Sequence, residues 1–396
     1  MNSTDIILRK SQLAGLLERM CQSLELSDTQ FETAKTRYEA VGKWISEATD
    51  RNLYNATIYP QGSVSLSTTV KPLGREEYDV DLVCLVPGLS PSTSPTALKK
   101  TLGARLRQNA RYSDILKEKK RCWRLNYANE FHLDITPTIP NPACNHDGEL
   151  LPDKRLAGEQ PAGWRETNPK GYRRLFEERA KLHPRLRLAE AEFAEARGKV
   201  DSLPEPTQFK GILRRCVQLF KRHRDIWFSS RDKDLAPISI IITTLAAKSY
   251  ENCVTNGTFD TELDVLVAVL ENMPRFIDVM SIGDKNIFVV RNETTREENF
   301  ADKWNTDARL SHAFFDWQRG AAADFARLFT LSGLDRIGEQ LSISFGESLS
   351  KGVLIDLSTK VSDARSQGRL SVSPSVGLAI GAGGSIPVRM NTFFGK

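Results

Sequence analysis

The chain has 396 residues, 40% of them hydrophobic and 27% charged, with a formal net charge of +5. This composition excludes a disordered or fibrous chain and predicts a soluble globular protein long enough for two domains. No apolar run reaches the ~18–20 residues of a membrane span, and the start, MNSTDIILRKSQLAGLL, lacks the basic–apolar–small order of a signal peptide. Cys21, Cys84, Cys122, Cys144, Cys216 and Cys253 are scattered without a CxxC pair, so they read as reduced thiols of a cytoplasmic protein. Cys144 and His146 have no matching second pair for a metal site. The mild basicity fits a phosphate-bearing partner, and equally a protein that binds no nucleic acid.

In chain order, leucine spacings over residues 5–26 predict a first helix. Ser27 or Asp28 caps a second, in which Phe31, Ala34, Tyr38, Val41 and Ile45 recur at helical spacing. Ala56–Tyr59 reads as a strand stopped by Pro60, and Gln61-Gly62-Ser63 as a turn of small residues. Asp79 and Asp81 follow on a strand-like run. Strand side chains alternate with period two, so both carboxylates project from one face while Val80 and Leu82 face the other way. Paired acids repel unless a cation sits between them. A nearby turn with free backbone N–H groups would receive the phosphate that such a cation neutralises.

A Pro/Ser loop over 87–95 precedes an amphipathic helix marked by Leu98, Leu102 and Leu106. Lys99, Lys100, Arg105 and Arg107 are placed on its outer face. Two strands follow, Arg121–Tyr127 and Phe131–Thr136, the second placing Asp134 on the face of His132 and Thr136. An acid inside an apolar strand is paired by a neighbour such as Arg, or it binds something. Residues 136–161, rich in Pro, Asn and Asp, read as loop, and the charged stretch 163–200 as a partly helical domain crossing. From Gln208 the pattern is helical, with a stripe of Phe209, Leu213, Cys216, Phe220 and Trp227. A buried helix starts near Pro237, and further helices cover 261–272 and 307–331. From Ser358 the composition reads as a mobile tail.

Taken together, Gln61-Gly62-Ser63, Asp79-Val80-Asp81 and the later Asp134 resemble the cGAS/DncV-like nucleotidyltransferases of bacteria, or CD-NTases, within the DNA polymerase β-like superfamily. LFKRHRD (219–225), PISIIITTLAAKSY (237–250) and ENFADKW (298–304) extend the likeness across about 27–330. It implies an α/β fold: a polymerase β-like core of mixed sheet and helices over 1–203, an α-helical lobe over 204–357, a cleft between them, and a flexible tail over 358–396.

The resemblance also implies roles. Asp79, Asp81 and Asp134 would be the catalytic acids and hold two Mg²⁺ ions, with Mn²⁺ as a substitute. Gly62 and Ser63 would contact the triphosphate, supported by Gln61, and Lys221 and Ser239 would hold phosphates from the helical half. The implied reaction condenses NTPs, ATP, GTP or both, into a cyclic di- or trinucleotide that activates an effector in anti-phage (CBASS) signalling. A linear template-independent transferase shares the same acids. A non-catalytic nucleic-acid binder on this fold would instead use the basic stretches 98–111 and 165–187. The end, VRMNTFFGK, resembles tails attached to other molecules by a ubiquitin-like E1/E2 or E2 partner, with Gly395 as the candidate site, although Lys396 follows it. A monomer is expected.

Overall fold

The computed structural model describes residues 3–74, 77–128, 130–144, 147–153, 163–187, 210–283, 285–331, 334–368, 370–373, 377–380 and 386–387. A seven-stranded sheet is formed by β1 (Thr57–Pro60), β2 (Tyr78–Leu85), β3 (Leu116–Glu118), β4 (Trp123–Tyr127), β5 (Phe131–Pro140), β6 (Glu149–Pro152) and β7 (Trp164–Thr167). Its order is β1-β2-β5-β4-β3, with β6 and then β7 added beyond the end of β5. β2 and β5 run parallel and the other pairs antiparallel. Alternation does the rest. Val80, Leu82 and Cys84 of β2 and Leu133 and Ile135 of β5 point into one core. Val41 and Ile45 of α2 (Asp28–Ser46) and Leu98, Leu102 and Leu106 of α4 (Pro95–Arg107) seal it, while the aspartates point away from it. Each fully buried aliphatic side chain contributes about 1.5–3 kcal/mol, which is what fixes the strand register that positions the acids.

A second core is helical. It gathers α1 (Ser3–Leu24), α6 (Pro169–Ala180), α7 (Ile212–Trp227), α8 (Ser239–Asn256), α9 (Glu262–Asn272), α10 (Ala308–Thr330), α11 (Leu334–Phe345) and α12 (Glu347–Ser366). Ser27 is the cap chosen for α2, in a capping box with Gln30. Thr261 caps α9 and Asp307 caps α10.

Several expectations change. Leu13, Leu16, Leu17, Met20 and Cys21 of α1 and Phe176 of α6 pack into the helical core. The boundary at 203/204 lies outside the described residues. The expected tail from 358 begins too early, because α12 continues to Ser366 and strands 370–373 and 377–380 pair beyond it. Residues 136–161 are not all loop, since β5 continues to Pro140 and β6 returns alongside it. The buried helix starts at Ser239, after Pro237 rather than on it.

Part of each basic stretch is engaged within the fold. Lys99 is buried, donates to the Lys119 carbonyl and to the Lys120 carbonyl at 3.1 Å, and lies 3.1 Å from Glu118. Arg105 stacks 3.8 Å from the Trp44 ring, and Arg107 stacks 4.5 Å from that of Trp123. Arg165, Arg173 and Arg179 are paired with Asp302, Glu177, and Glu251 with Glu293, respectively. Lys100, Arg107, Arg111, Lys170 and Arg174 stay exposed, so both stretches keep positive charge at the surface. No described helix is long and apolar enough to cross a membrane.

Candidate active site

The parallel pairing of β2 with β5 sets Asp81 opposite Asp134 and Asp79 opposite His132. The antiparallel pairing of β4 with β5 sets Arg124 opposite Asp134. Arg124 therefore meets the third acid as a fork: its Nε donates to Asp134 Oδ1 at 2.6 Å and its Nη2 to Oδ2 at 2.7 Å. The same Nη2 lies 3.1 Å from Asp79 Oδ1. His132 extends the chain, with Nδ1 3.2 Å from Asp79 Oδ1 and Nε2 2.6 Å from Glu77 Oε2. The hydrogen bonds that Arg124 donates to Asp134 push the guanidinium pKa further up.

Asp81 stands apart. Its carboxylate has no hydrogen bond or ion pair among the described residues. Burial, then the charges of Asp134 and Asp79, push it up from 3.8 to about 7. Behind it is Gly62 at φ +62°, where a β-carbon would stand 2.6 Å from Asp81 Oδ2. Only glycine satisfies both the backbone angle and the space. Gly62 opens a single helical turn, α3 (Gly62–Ser65), whose Ser63 hydroxyl also has no partner among the described residues. Gln61 plays a different part. Its N–H donates to the Asp81 carbonyl at 2.8 Å, prolonging the β1–β2 ladder, and its side chain is not on the cleft wall.

A cleft of about 560 Å³ separates these elements from the helical half. Gly62, Ser63, Asp79 and Asp81 line one wall, and Lys221, Arg224 and Ser239 the other. Lys221 is present as expected, but its amine donates to the Thr68 carbonyl at 3.1 Å and to Thr68 Oγ1 at 3.3 Å. Burial, then the neighbouring Arg224, pulls its pKa down from 10.5 to about 7. Ser239 begins α8, and its hydroxyl accepts from Arg224 Nη2 at 3.3 Å. Arg224 also donates to the Pro237 carbonyl at 2.6 Å and to Asp225 Oδ1 at 2.7 Å. The structure thus gathers Gly62, Ser63, Asp79, Asp81, Lys221 and Ser239 at one cleft and leaves Asp134 engaged by Arg124. Gly395 lies outside the described residues.

Sequence reasoning missed Arg224, which stands three residues after Lys221 and so on the same helix face. Arg124 was foreseen only as an unspecified arginine, because its register against Asp134 is a property of the sheet. For a divalent cation the oxygen donors have the right chemistry, and the unsatisfied Asp81 carboxylate beside Asp79 is the feature such an ion would complete. The residues fit in kind.

Acids on adjacent parallel strands facing a glycine-serine turn, with a helical lobe across the cleft, define a nucleotidyltransferase of the polymerase β-like class. Residues 12–179 match the family model described as the Second Messenger Oligonucleotide or Dinucleotide Synthetase domain. The chain is 30% identical over 389 residues to a c-di-GMP synthase of Roseivirga ehrenbergii, covering 98% of each. It is 27% identical over 303 residues to the cyclic dinucleotide synthase CdnG of Bradyrhizobium diazoefficiens, spanning 74% of this chain and 70% of that one. The solved structure of CdnG in complex with GTP has the same fold, with a TM-score of 0.62 and 21% identity over 90% of this chain and 100% of that one. The chain belongs to the CD-NTases, the cGAS/DncV-like family of cyclic oligonucleotide synthases.

Proposed function

We propose that the protein condenses two molecules of GTP into cyclic di-GMP with release of two pyrophosphates. The observation that carries the chemistry is the cleft itself, with Asp79 and Asp81 on one wall and Lys221, Arg224 and Ser239 on the other. The choice of guanine is supported by the relatives, one named a c-di-GMP synthase and another solved with GTP.

In each half-reaction a ribose hydroxyl oxygen of one nucleotide bonds to the α-phosphorus of the other. The bond from that phosphorus to the pyrophosphate oxygen breaks, and the hydroxyl proton passes to solvent or a carboxylate. The reciprocal attack closes the ring. Asp79 and Asp81, joined by Asp134, would hold Mg²⁺, or Mn²⁺ in its place. When bound, such ions neutralise triphosphate charge and favour the ionised hydroxyl. Gly62 admits the triphosphate close to the backbone, and the Ser63 hydroxyl is available to donate to it. Lys221, Arg224 and Ser239 approach the same phosphates from the opposite wall, where positive charge orients the leaving pyrophosphate. The cyclic product would then activate an effector in anti-phage defence.

The test offers the four NTPs singly and together with Mg²⁺ or Mn²⁺, followed by phosphatase. A phosphatase-resistant product from GTP alone, lost in Asp79→Ala, is expected. A requirement for ATP would overturn the assignment to GTP, and phosphatase-sensitive oligomers would favour the linear transferase.

A further inference from the structure

We propose that Arg124 is a positioning residue that serves as the internal counter-cation of the acid cluster. It holds Asp134 and Asp79 in the free enzyme, and it gives way when a divalent cation takes those carboxylates. The inference rests on the reading of the cleft as the nucleotidyl-transfer site.

Three observations carry it. The first is register: Arg124 is opposite Asp134 in the β4–β5 ladder, so the backbone delivers the guanidinium to the acid. The second is geometry. Two parallel N–H donors fill both Asp134 oxygens at 2.6 and 2.7 Å, and the outer nitrogen reaches Asp79 at 3.1 Å. A lysine is a point charge and cannot reproduce that fork. The third is convergence. Among the described residues no three acid, histidine or cysteine side chains are gathered for a cation, although Asp81 and Asp134 are direct neighbours across the strand pair. The arrangement is that of a cluster whose third member is turned onto an arginine.

Electrostatics gives the consequence. Arg124 and His132 bridge Glu77, Asp79 and Asp134, and Asp81 beside them is left unbridged. The Arg124 side chain is 19% exposed, so it can leave toward water. A cation held by Asp79 and Asp81 meets Arg124 as a like charge competing for the same Asp79 oxygen. Arg124 therefore lowers the affinity of the free enzyme for the ion.

The experiment measures Mn²⁺ binding to nucleotide-free protein by electron paramagnetic resonance, with circular dichroism to confirm folding. Arg124→Gln is expected to bind Mn²⁺ about tenfold more tightly than the wild type, the effect of removing one nearby partly screened charge. Its activity is also expected to saturate at lower Mn²⁺. A folded Arg124→Gln with unchanged or weaker affinity overturns the proposal. Should that variant not fold, Arg124→Lys decides: binding about threefold tighter supports the role of the fork, and unchanged or weaker affinity removes it. Asp81→Asn separates the two levels. If it binds Mn²⁺ as well as the wild type does, the reading of the cleft fails, and Arg124's role with it. If it abolishes binding while Arg124→Gln changes nothing, only the role of Arg124 falls.

Discussion

Gly62 and Asp81 are packed so closely that a β-carbon on the glycine would lie 2.6 Å from the carboxylate oxygen, at a backbone φ of +62°. The first small residue of the Gly-Ser turn and the central acid of the cleft are thus one mechanical unit. Gly62→Ala is expected to displace Asp81 and to cost about 1–3 kcal/mol of stability through left-handed strain and the clash. Activity should fall at least about a hundredfold, since an ångström of misplacement is enough for that. Thermal unfolding and steady-state rates check both effects.

Asp81 should trade stability against function. Its pKa in the fold is about 7 against an ordinary 3.8, so the folded state holds this proton more tightly than the unfolded chain. The sign follows: this group's contribution to stability is fully present below about pH 4, declines as pH rises from about 4 to 7, and stays low above that. Asp81→Asn removes the penalty. Measured without ligands, the variant is expected to exceed wild type by about 1–2 kcal/mol at pH 8, with the gap narrowing as pH falls and closing near pH 4. It should also be inactive.

One helix braces the segment that follows the Gly62-Ser63 turn. Arg214 donates to the Leu66 carbonyl at 3.0 Å, Lys221 to Thr68 at 3.1 Å, Gln218 to Thr69 at 3.0 Å and Arg222 to Lys71 at 2.6 Å. The donors recur along one face of α7, so the helical core sets the position of residues 66–71. Gln218→Ala leaves the Thr69 carbonyl without its donor and is expected to cost about 1–2 kcal/mol. Amide exchange should accelerate in 62–72 and not in β4 or β5. Uniform acceleration would mean that the brace is not local.

A buried polar chain fixes the other side of α7. Trp317 donates from Nε1 to His223 Nδ1 at 3.2 Å. Indole only donates, so His223 must carry its proton on Nε2, which faces Asp324 Oδ2 at 3.1 Å. That hydrogen bond, first among the causes, holds the Asp324 carboxyl below its ordinary value. A lowered carboxylate pKa contributes stability above the unfolded value and loses it as pH falls through the folded one. Trp317→Phe is expected to cost about 1–2 kcal/mol at neutral pH from the lost donor and volume. Chemical denaturation measures it.

The local chemistry of the site was legible because it lies in period-two alternation: Asp79 and Asp81 share a face whatever the sheet does around them. What sequence could not supply were long-range pairings. The Arg124–Asp134 fork depends on β4–β5 register, and the capture of Lys221 by Thr68 depends on how the two cores meet. Lys99 and Arg105 looked solvent-facing because their spacing is that of an outer face, yet Trp123 and Trp44 cover them. The helix past Ser358 was hidden by its serine-rich, weakly amphipathic stretch, and β6 by its shortness and terminal Pro152.

The most direct test of the account is the stoichiometry of pyrophosphate release from GTP. A ring-closing synthase releases one pyrophosphate for every guanosine nucleotide incorporated and leaves no 5′-triphosphate on the product. That ratio is the expected result, with loss of release in Asp79→Ala and Asp81→Asn. A product that keeps a 5′-triphosphate, releasing fewer pyrophosphates than nucleotides incorporated, would contradict it.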